Sequence, residues 1–278
     1  MTRVVFLLHA LGGVVATPFR MLVIRRHVIA TLTRRDLRGR YASSVLGLSW
    51  AVIQPLALLL LFTFVFSVVL RIRLGGSSSA YLFAAYVFCG MLPWIALQEG
   101  LTRSSSVILE NVPLIKKVIF PSEILPVSVV FSALVLEMIG LSVFVLLLSL
   151  FHRVPTPALL VLPVIVGFQL MFTLGIGWVL ASLTVFLRDV TQLLGLGMTF
   201  WMFITPIFYP PEMVPPAFAF LLLVNPMWYV VSAYRRVLLE GALPDLSQFA
   251  VFAGIAFVVF VAGGWFFRRS SPAFADVT

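Results

Sequence analysis

The chain has 278 residues, of which 62% are hydrophobic and only 10% charged, with a net charge of +9. A soluble domain carries about 25% charged and about 45–50% apolar residues, and a mean hydropathy of +1.13 excludes a water-facing surface of that kind. The positive charge would suit nucleic acid in a soluble protein, but membrane proteins gather Arg and Lys in their cytoplasmic loops, so the placement of the charges decides.

Residues 1–45 hold Arg3, Arg20, Arg25, Arg26, Arg34, Arg35, Arg38 and Arg40. Residues 4–24 nearly suffice to span, with His9 and Arg20 inside them. From Phe19 to Leu37, however, apolar positions alternate with arginines that can snorkel to headgroups, which favours a helix lying at the interface. A span needs roughly 20 mostly apolar residues to cross a ~30 Å hydrocarbon core. Six segments meet this or come close: 48–70, 80–103, 122–151, 158–187, 190–209 and 247–267. The runs are continuous rather than alternating, so they read as helices and not barrel strands. Glu137 interrupts the third; a carboxylate at that depth costs about 2.5–3.5 kcal/mol and must face protein or water. The single cysteine, Cys89, lies in an apolar run and reads as a small core residue.

Between the fifth and sixth spans, residues 206–234 contain two apolar half-spans, 217–224 and 227–234. They are cut by Pro206, Pro210, Pro211, Pro215, Pro216 and Asn225-Pro226. Proline stops a helix and pushes the preceding residue out of helical geometry. Short helices this apolar must pack against protein at membrane depth, which predicts a re-entrant helical hairpin dipping in from the outer side. An amphipathic loop on the outer surface is the other reading. The expected fold is an all-α integral membrane protein with six transmembrane helices, an N-terminal interfacial helix and this hairpin. With the N-terminus inside, fourteen of the nineteen basic residues are cytoplasmic, and Arg71, Arg73, Arg153, Arg235 and Arg236 remain outside. That asymmetry places both termini in the cytoplasm and removes most of the case for nucleic acid.

The stretch from Arg35-Asp36 through Arg40-Tyr41, Ser44, Leu46-Gly47 and Trp50 to Pro55 reads R-D-x-x-x-R-Y-x-x-S-x-L-G-x-x-W-x-x-x-x-P. It resembles the entry to the first span of the type-2 ABC exporter permeases that move O-antigen, capsular polysaccharide and teichoic acid. Gly90 to Trp94 in the second span, Glu110 to Pro121 after it, and Thr205 to Pro210 with Asn225-Pro226-Met227 and Tyr234-Arg235 agree with that family in order. The resemblance implies the membrane-spanning permease of an ATP-driven exporter. It would act as a homodimer with two copies of a separate ATP-binding cassette ATPase, in the cell inner membrane. The substrate it implies is a lipid-linked polysaccharide, O-antigen above all. It also implies that the partner binds ATP and Mg, since this chain has no G-x-x-x-x-G-K-[ST] loop and needs no cofactor of its own.

Under that resemblance the candidate ATPase-docking segment is Glu110, Asn111, Pro113, Leu114, Ile115, Lys116, Lys117 and Phe120, with a simple positive-inside loop as the other reading. Apolar residues lie there between charges that can fix orientation. Trp94, Phe200, Trp201, Phe203, Phe208, Tyr209, Trp228 and Tyr229 form a candidate channel and gate lining, because flat aromatic faces suit a sliding sugar chain. A membrane-interface belt explains the same residues as well. Arg34, Arg35, Arg38, Arg40 and Tyr41 fit contact with the ATPase, bidentate pairing with a substrate phosphate, or plain headgroup binding.

Two other classes compete. A stand-alone proton-coupled lipid or glycan carrier would need several intramembrane ionisable groups, and Glu137 is the one found. A membrane enzyme would gather paired carboxylates or a His/Asp cluster. The three histidines, His9, His27 and His152, are scattered instead, so a non-catalytic transport subunit is expected.

Overall fold

A computed structural model describes residues 16–42, 44–70, 81–117, 120–150 and 156–274. The start at 1–15, which bears on whether residues 4–24 span, and the separators at 71–80 and 151–155 lie outside the described residues. Among the described residues there is no strand. The first helices are α1 (16–24), α2 (Arg26–Tyr41), α3 (Trp50–Phe62, continuing as a π-helical stretch Thr63–Val69) and α4 (Tyr81–Glu110). They are followed by α5 (Val112–Lys117), α6 (Ile124–Leu150), α7 (Leu162–Phe186) and α8 (Val190–Ile204). The last are α9 (Phe220–Val224), α10 (Pro226–Arg235, widening into π-helical Arg236–Glu240) and α11 (Leu246–Ser270).

Four helical stretches among the described residues are long and apolar enough to cross a membrane: Leu82–Glu110, Ile124–Leu150, Pro157–Phe186 and Leu246–Ala273. The 30 residues of α4 extend about 45 Å at 1.5 Å per residue, beyond the hydrocarbon core. α4 is also the most enclosed of the four, with Phe88, Trp94, Leu97 and Leu101 essentially inaccessible. It packs between α6 and α7, and α11 covers the far side of α7. The α7–α11 crossing depends on two glycines. A Cβ on Gly263 would run into the Gly175 carbonyl, and one on Gly175 into the Val259 backbone. Small residues let helix backbones approach this closely where no hydrophobic effect drives association.

Two expected spans are shorter as helices, Trp50–Phe66 and Val190–Ile204. α8 ends at Ile204, five residues before the expected end at 209, because Thr205 precedes Pro206 and is extended (φ −77°, ψ 129°). Its 15 residues reach about 22 Å. The Pro216–Val224 and Pro226–Glu240 segments meet at an angle of 89°, broken at Asn225-Pro226. Gly241, in the left-handed region at φ 67°, then closes the π-helical turn.

α2 lies across the start of α6, where Thr33 Oγ1 donates to the Ser128 carbonyl at 3.2 Å. α5 sits between the ends of α4 and α6, and Arg268 in the last turn of α11 reaches Glu123 at 3.4 Å. This is the basic end of the bundle. α9 and α10 mark the opposite end.

Candidate functional site

The polar side chains collect in three places along the bundle. At the basic end, α2 presents Asp36 and Arg40 one helical turn apart, and α4 presents Glu99 and Arg103 with the same spacing. The signs are reversed, so the helices complement one another. Arg103 forks onto Asp36, with Nη1 to Oδ2 at 2.7 Å, and Arg40 pairs with Glu99. Burial pushes the Asp36 carboxyl up, but hydrogen bonds from Arg103 and Ser132 and the charges of Arg103 and Arg40 outweigh it, holding the group below its usual value. The R-D-x-x-x-R pattern therefore has a mechanical role: it fastens α2 to the long helix that runs through the bundle.

Midway, Glu137 of α6, Gln169 of α7 and Tyr234 of α10 form a buried ring. Gln169 Nε2 donates to both Glu137 oxygens at 3.1 and 3.0 Å and approaches the Pro93 carbonyl at 3.3 Å. The Tyr234 hydroxyl lies 2.7 Å from Glu137 Oε1 and 2.8 Å from Gln169 Oε1. A hydroxyl has one proton to donate, so Tyr234 donates to only one of these two oxygens at a time. Among the described residues no cation pairs with Glu137. A cavity of about 470 Å³ between α3, α4 and α6 runs from Glu99 and Trp50 past Gln54 to Glu137, linking this ring to the basic end.

At the opposite end Arg235, only 7% exposed, has no carboxylate partner among the described residues. Its guanidinium donates to the Pro206 carbonyl at 2.7 Å and the Ile207 carbonyl at 2.8 Å, with a longer contact to the Tyr86 carbonyl at 3.4 Å. It also lies 3.4 Å over the Tyr86 ring. Gly90 makes room, since a Cβ there would meet Arg235 Nη2 at 3.1 Å and Val231 at 3.2 Å. Asn225 caps α10 by accepting from the Met227 N–H at 3.1 Å. The same side chain accepts from Trp201 Nε1 at 2.8 Å and donates to Thr205 Oγ1 at 2.9 Å. The non-helical turn after α8 is thereby tied to α10 on one side and α4 on the other.

The eight candidate aromatics divide. Trp94 is fully buried and stands edge-on to Trp201 at 5.7 Å. Phe203 and Phe208 pack at 5.9 Å, and the Tyr209 hydroxyl donates to the Phe203 carbonyl at 2.8 Å. Trp228 and Tyr229 pair at 4.9 Å on α10. Phe200 and Phe203 are exposed on α8, on one stripe with Leu193 and Leu196. Of the docking segment, Glu110 and Pro113 are exposed, Asn111 donates to the Val107 carbonyl at 2.8 Å, and Leu114 and Phe120 pack against the chain's own core. Of the arginine cluster, Arg40 is taken by Glu99, Tyr41 borders the 470 Å³ cavity, and Arg34, Arg35 and Arg38 are exposed.

Sequence reasoning missed Glu99, Arg103 and Gln169 as site residues, named Asn225 only as a helix break and part of a family motif, and counted Arg235 among the charges outside. The mirrored spacing of Asp36/Arg40 and Glu99/Arg103 was a signal for the first pair.

Long apolar helices around buried polar clusters, with glycine-mediated crossings, define a multi-pass helical membrane protein. Residues 27–239 match the ABC-2 type transporter family, and the chain belongs to it. It is 30% identical over 253 residues to the O-antigen export system permease protein RfbA of Myxococcus xanthus, covering 90% of this chain and 95% of that one. A Klebsiella pneumoniae protein of the same name is 26% identical, covering 90% and 94%. The polysialic acid transport protein KpsM of Escherichia coli is 21% identical over 86% of this chain and 93% of its own.

Proposed function

We propose that the chain is the permease subunit of an ATP-driven exporter of O-antigen in its lipid-linked form, working in the inner membrane. The observation that carries this is the near full-length match to permeases named for O-antigen export. The chain is then a transport subunit and not an enzyme, and ATP and Mg belong to a partner ATPase.

In this reading the basic end is cytoplasmic, with both termini, in keeping with the excess of arginine there. The six spans are α3 with its π-helical extension, α4, α6, α7, α8 with the turn through 209, and α11. α9 and α10 are a re-entrant hairpin, which the 89° break favours. Partly exposed Trp201, Phe208 and Trp228, backed by buried Trp94 and Tyr229, line the gate that the hairpin closes. Only Met198 of α8 is buried, which leaves the Leu193, Leu196, Phe200 and Phe203 stripe for lipid or a second copy of the chain. A homodimer with two ATPases is the corresponding assembly. The ATPase docks on Glu110 to Phe120, directly at the end of α4, so that force applied there enters the longest helix of the bundle.

The test is co-purification. Glu110→Arg combined with Pro113→Asp should lose the ATPase while the permease still inserts and dimerises. Full retention of the ATPase by that variant would refute the docking site. Export driven in vesicles by a pH gradient without ATP would refute the exporter itself and favour a proton-coupled carrier.

A further inference from the structure

α2 carries more positive charge than its ion pairs consume. Asp36 and Arg40 face α4, whereas Arg26, Arg34 and Arg38 are exposed and have no carboxylate partner among the described residues. These three line one groove of about 730 Å³ together with apolar Leu22 of α1, Ile29 and Leu37 of α2, and Phe131 of α6. The groove has a fixed floor, since Thr33 and Ser132 join α2 to α6 beside it. Guanidinium groups along one rim match a phosphate diester bidentately. A hydrocarbon wall below them matches an acyl chain, which free phosphate would leave uncovered.

We propose that the groove between α2 and α6 is a resident site for one anionic glycerophospholipid, with its phosphate on Arg34 and Arg38 and an acyl chain against Phe131. The bound lipid neutralises charge that would otherwise repel along α2, and it fills the wedge between the interfacial helix and the first turns of α6. Arg35 provides the control. It is exposed like Arg34 and Arg38, sits within one helical turn of both, and yet does not line the groove. The proposal rests on the reading of α2 as an interfacial helix and is independent of what the protein exports.

The experiment is native mass spectrometry of the full-length protein, purified in mild detergent and exchanged into nanodiscs of mixed phosphatidylglycerol and phosphatidylcholine. Wild-type protein should retain phosphatidylglycerol through a delipidating wash. R34Q/R38Q should retain about tenfold less, the loss of a charge-assisted contact, and R35Q should match wild type. Because exposed arginines are replaced, an unchanged elution volume and helical signal should accompany the loss. If R34Q/R38Q nevertheless fails to assemble, R34K/R38K serves in its place; it keeps the charge, loses the fork, and should fall between the two.

Equal losses in R35Q and R34Q/R38Q would reduce the effect to general surface charge and overturn the site. A wild-type protein that retains no phosphatidylglycerol, or retains polyprenyl phosphates in its place, would also overturn it. Failure of ATP-driven export would leave all these outcomes unchanged, so this proposal and the transport reading fail separately.

Discussion

The Asp36–Arg103 and Arg40–Glu99 pairs at the basic end and Arg235 at the opposite end are held by different physics. At the basic end, Asp36, Arg40, Glu99 and Arg103 form opposed ion pairs whose side chains keep between 18% and 31% of their surface in contact with solvent. At the opposite end, Arg235 is buried without any carboxylate partner among the described residues and is satisfied by backbone carbonyls and an aromatic face. Water and salt can screen and reform the first arrangement, and neither reaches the second. A transporter that must move one end against a fixed frame at the other has use for both: an adjustable fastening where the interfacial helix meets α4, and a permanent one where the turn after α8 meets α4 and α10.

The sharpest way to break this contrast is at Arg235. Arg235→Met would leave the Pro206 and Ile207 carbonyls and that of Tyr86 without their donor in a buried site. An unsatisfied buried acceptor costs about 1–3 kcal/mol, so a loss of about 3–5 kcal/mol is expected as a large fall in the detergent unfolding midpoint. Arg235→Lys should recover only part of it, because an ammonium cannot fork onto two carbonyls and stack on Tyr86 together. If Arg235→Met unfolds at the wild-type temperature, the opposite end is not the rigid frame.

A smaller effect is expected midway. Glu137→Leu leaves Gln169 and Tyr234 short of partners and should cost about 2–3 kcal/mol. Glu137→Gln supplies an acceptor for Gln169 and an N–H for Tyr234, with one more N–H than a protonated carboxyl has O–H donors, and should stay within about 1 kcal/mol of wild type. Equal losses in the two variants would show that the ring requires an ionised carboxylate.

Much of this architecture could be read from the residues. The long apolar runs of α4, α6, α7 and α11 fix their own helices, and Pro206 and Asn225-Pro226 mark where helical geometry fails. What could not be read was the identity of partners. Arg235 looks like one of the charges outside because the acceptors that satisfy it are carbonyls, which every residue carries and no sequence pattern flags. Glu137 signalled that it needed a partner, yet Gln169 and Tyr234 lie 32 and 97 residues away, and nothing around either one points to a carboxylate. The R-D-x-x-x-R pattern marked a family resemblance, and its arginines were left open to ATPase contact, phosphate pairing or headgroup binding. Only the packing of α2 against α4 shows that half of it is spent on Glu99 and Arg103.

The smallest effect should come from the clamp itself, and its conditions test the contrast. Asp36→Asn should cost only about 1 kcal/mol at low salt, since partly exposed pairs are screened, and still less at ~1 M salt, where the Debye length is ~3 Å. The pH dependence follows from the lowered carboxyl. A group whose folded-state value is depressed gives its full contribution above its ordinary value of 3.8 and loses it as the pH falls through the folded value beneath that. The stability difference between wild type and Asp36→Asn should therefore be flat from about pH 7 to about pH 5 and close in more acid solution. Arg235→Met should show no such salt dependence, because its partners carry no titrating charge. If the two variants respond to salt alike, the ends do not differ in kind, and α2 is held by its Thr33, Ser128 and Ser132 contacts with α6 instead of by the charges.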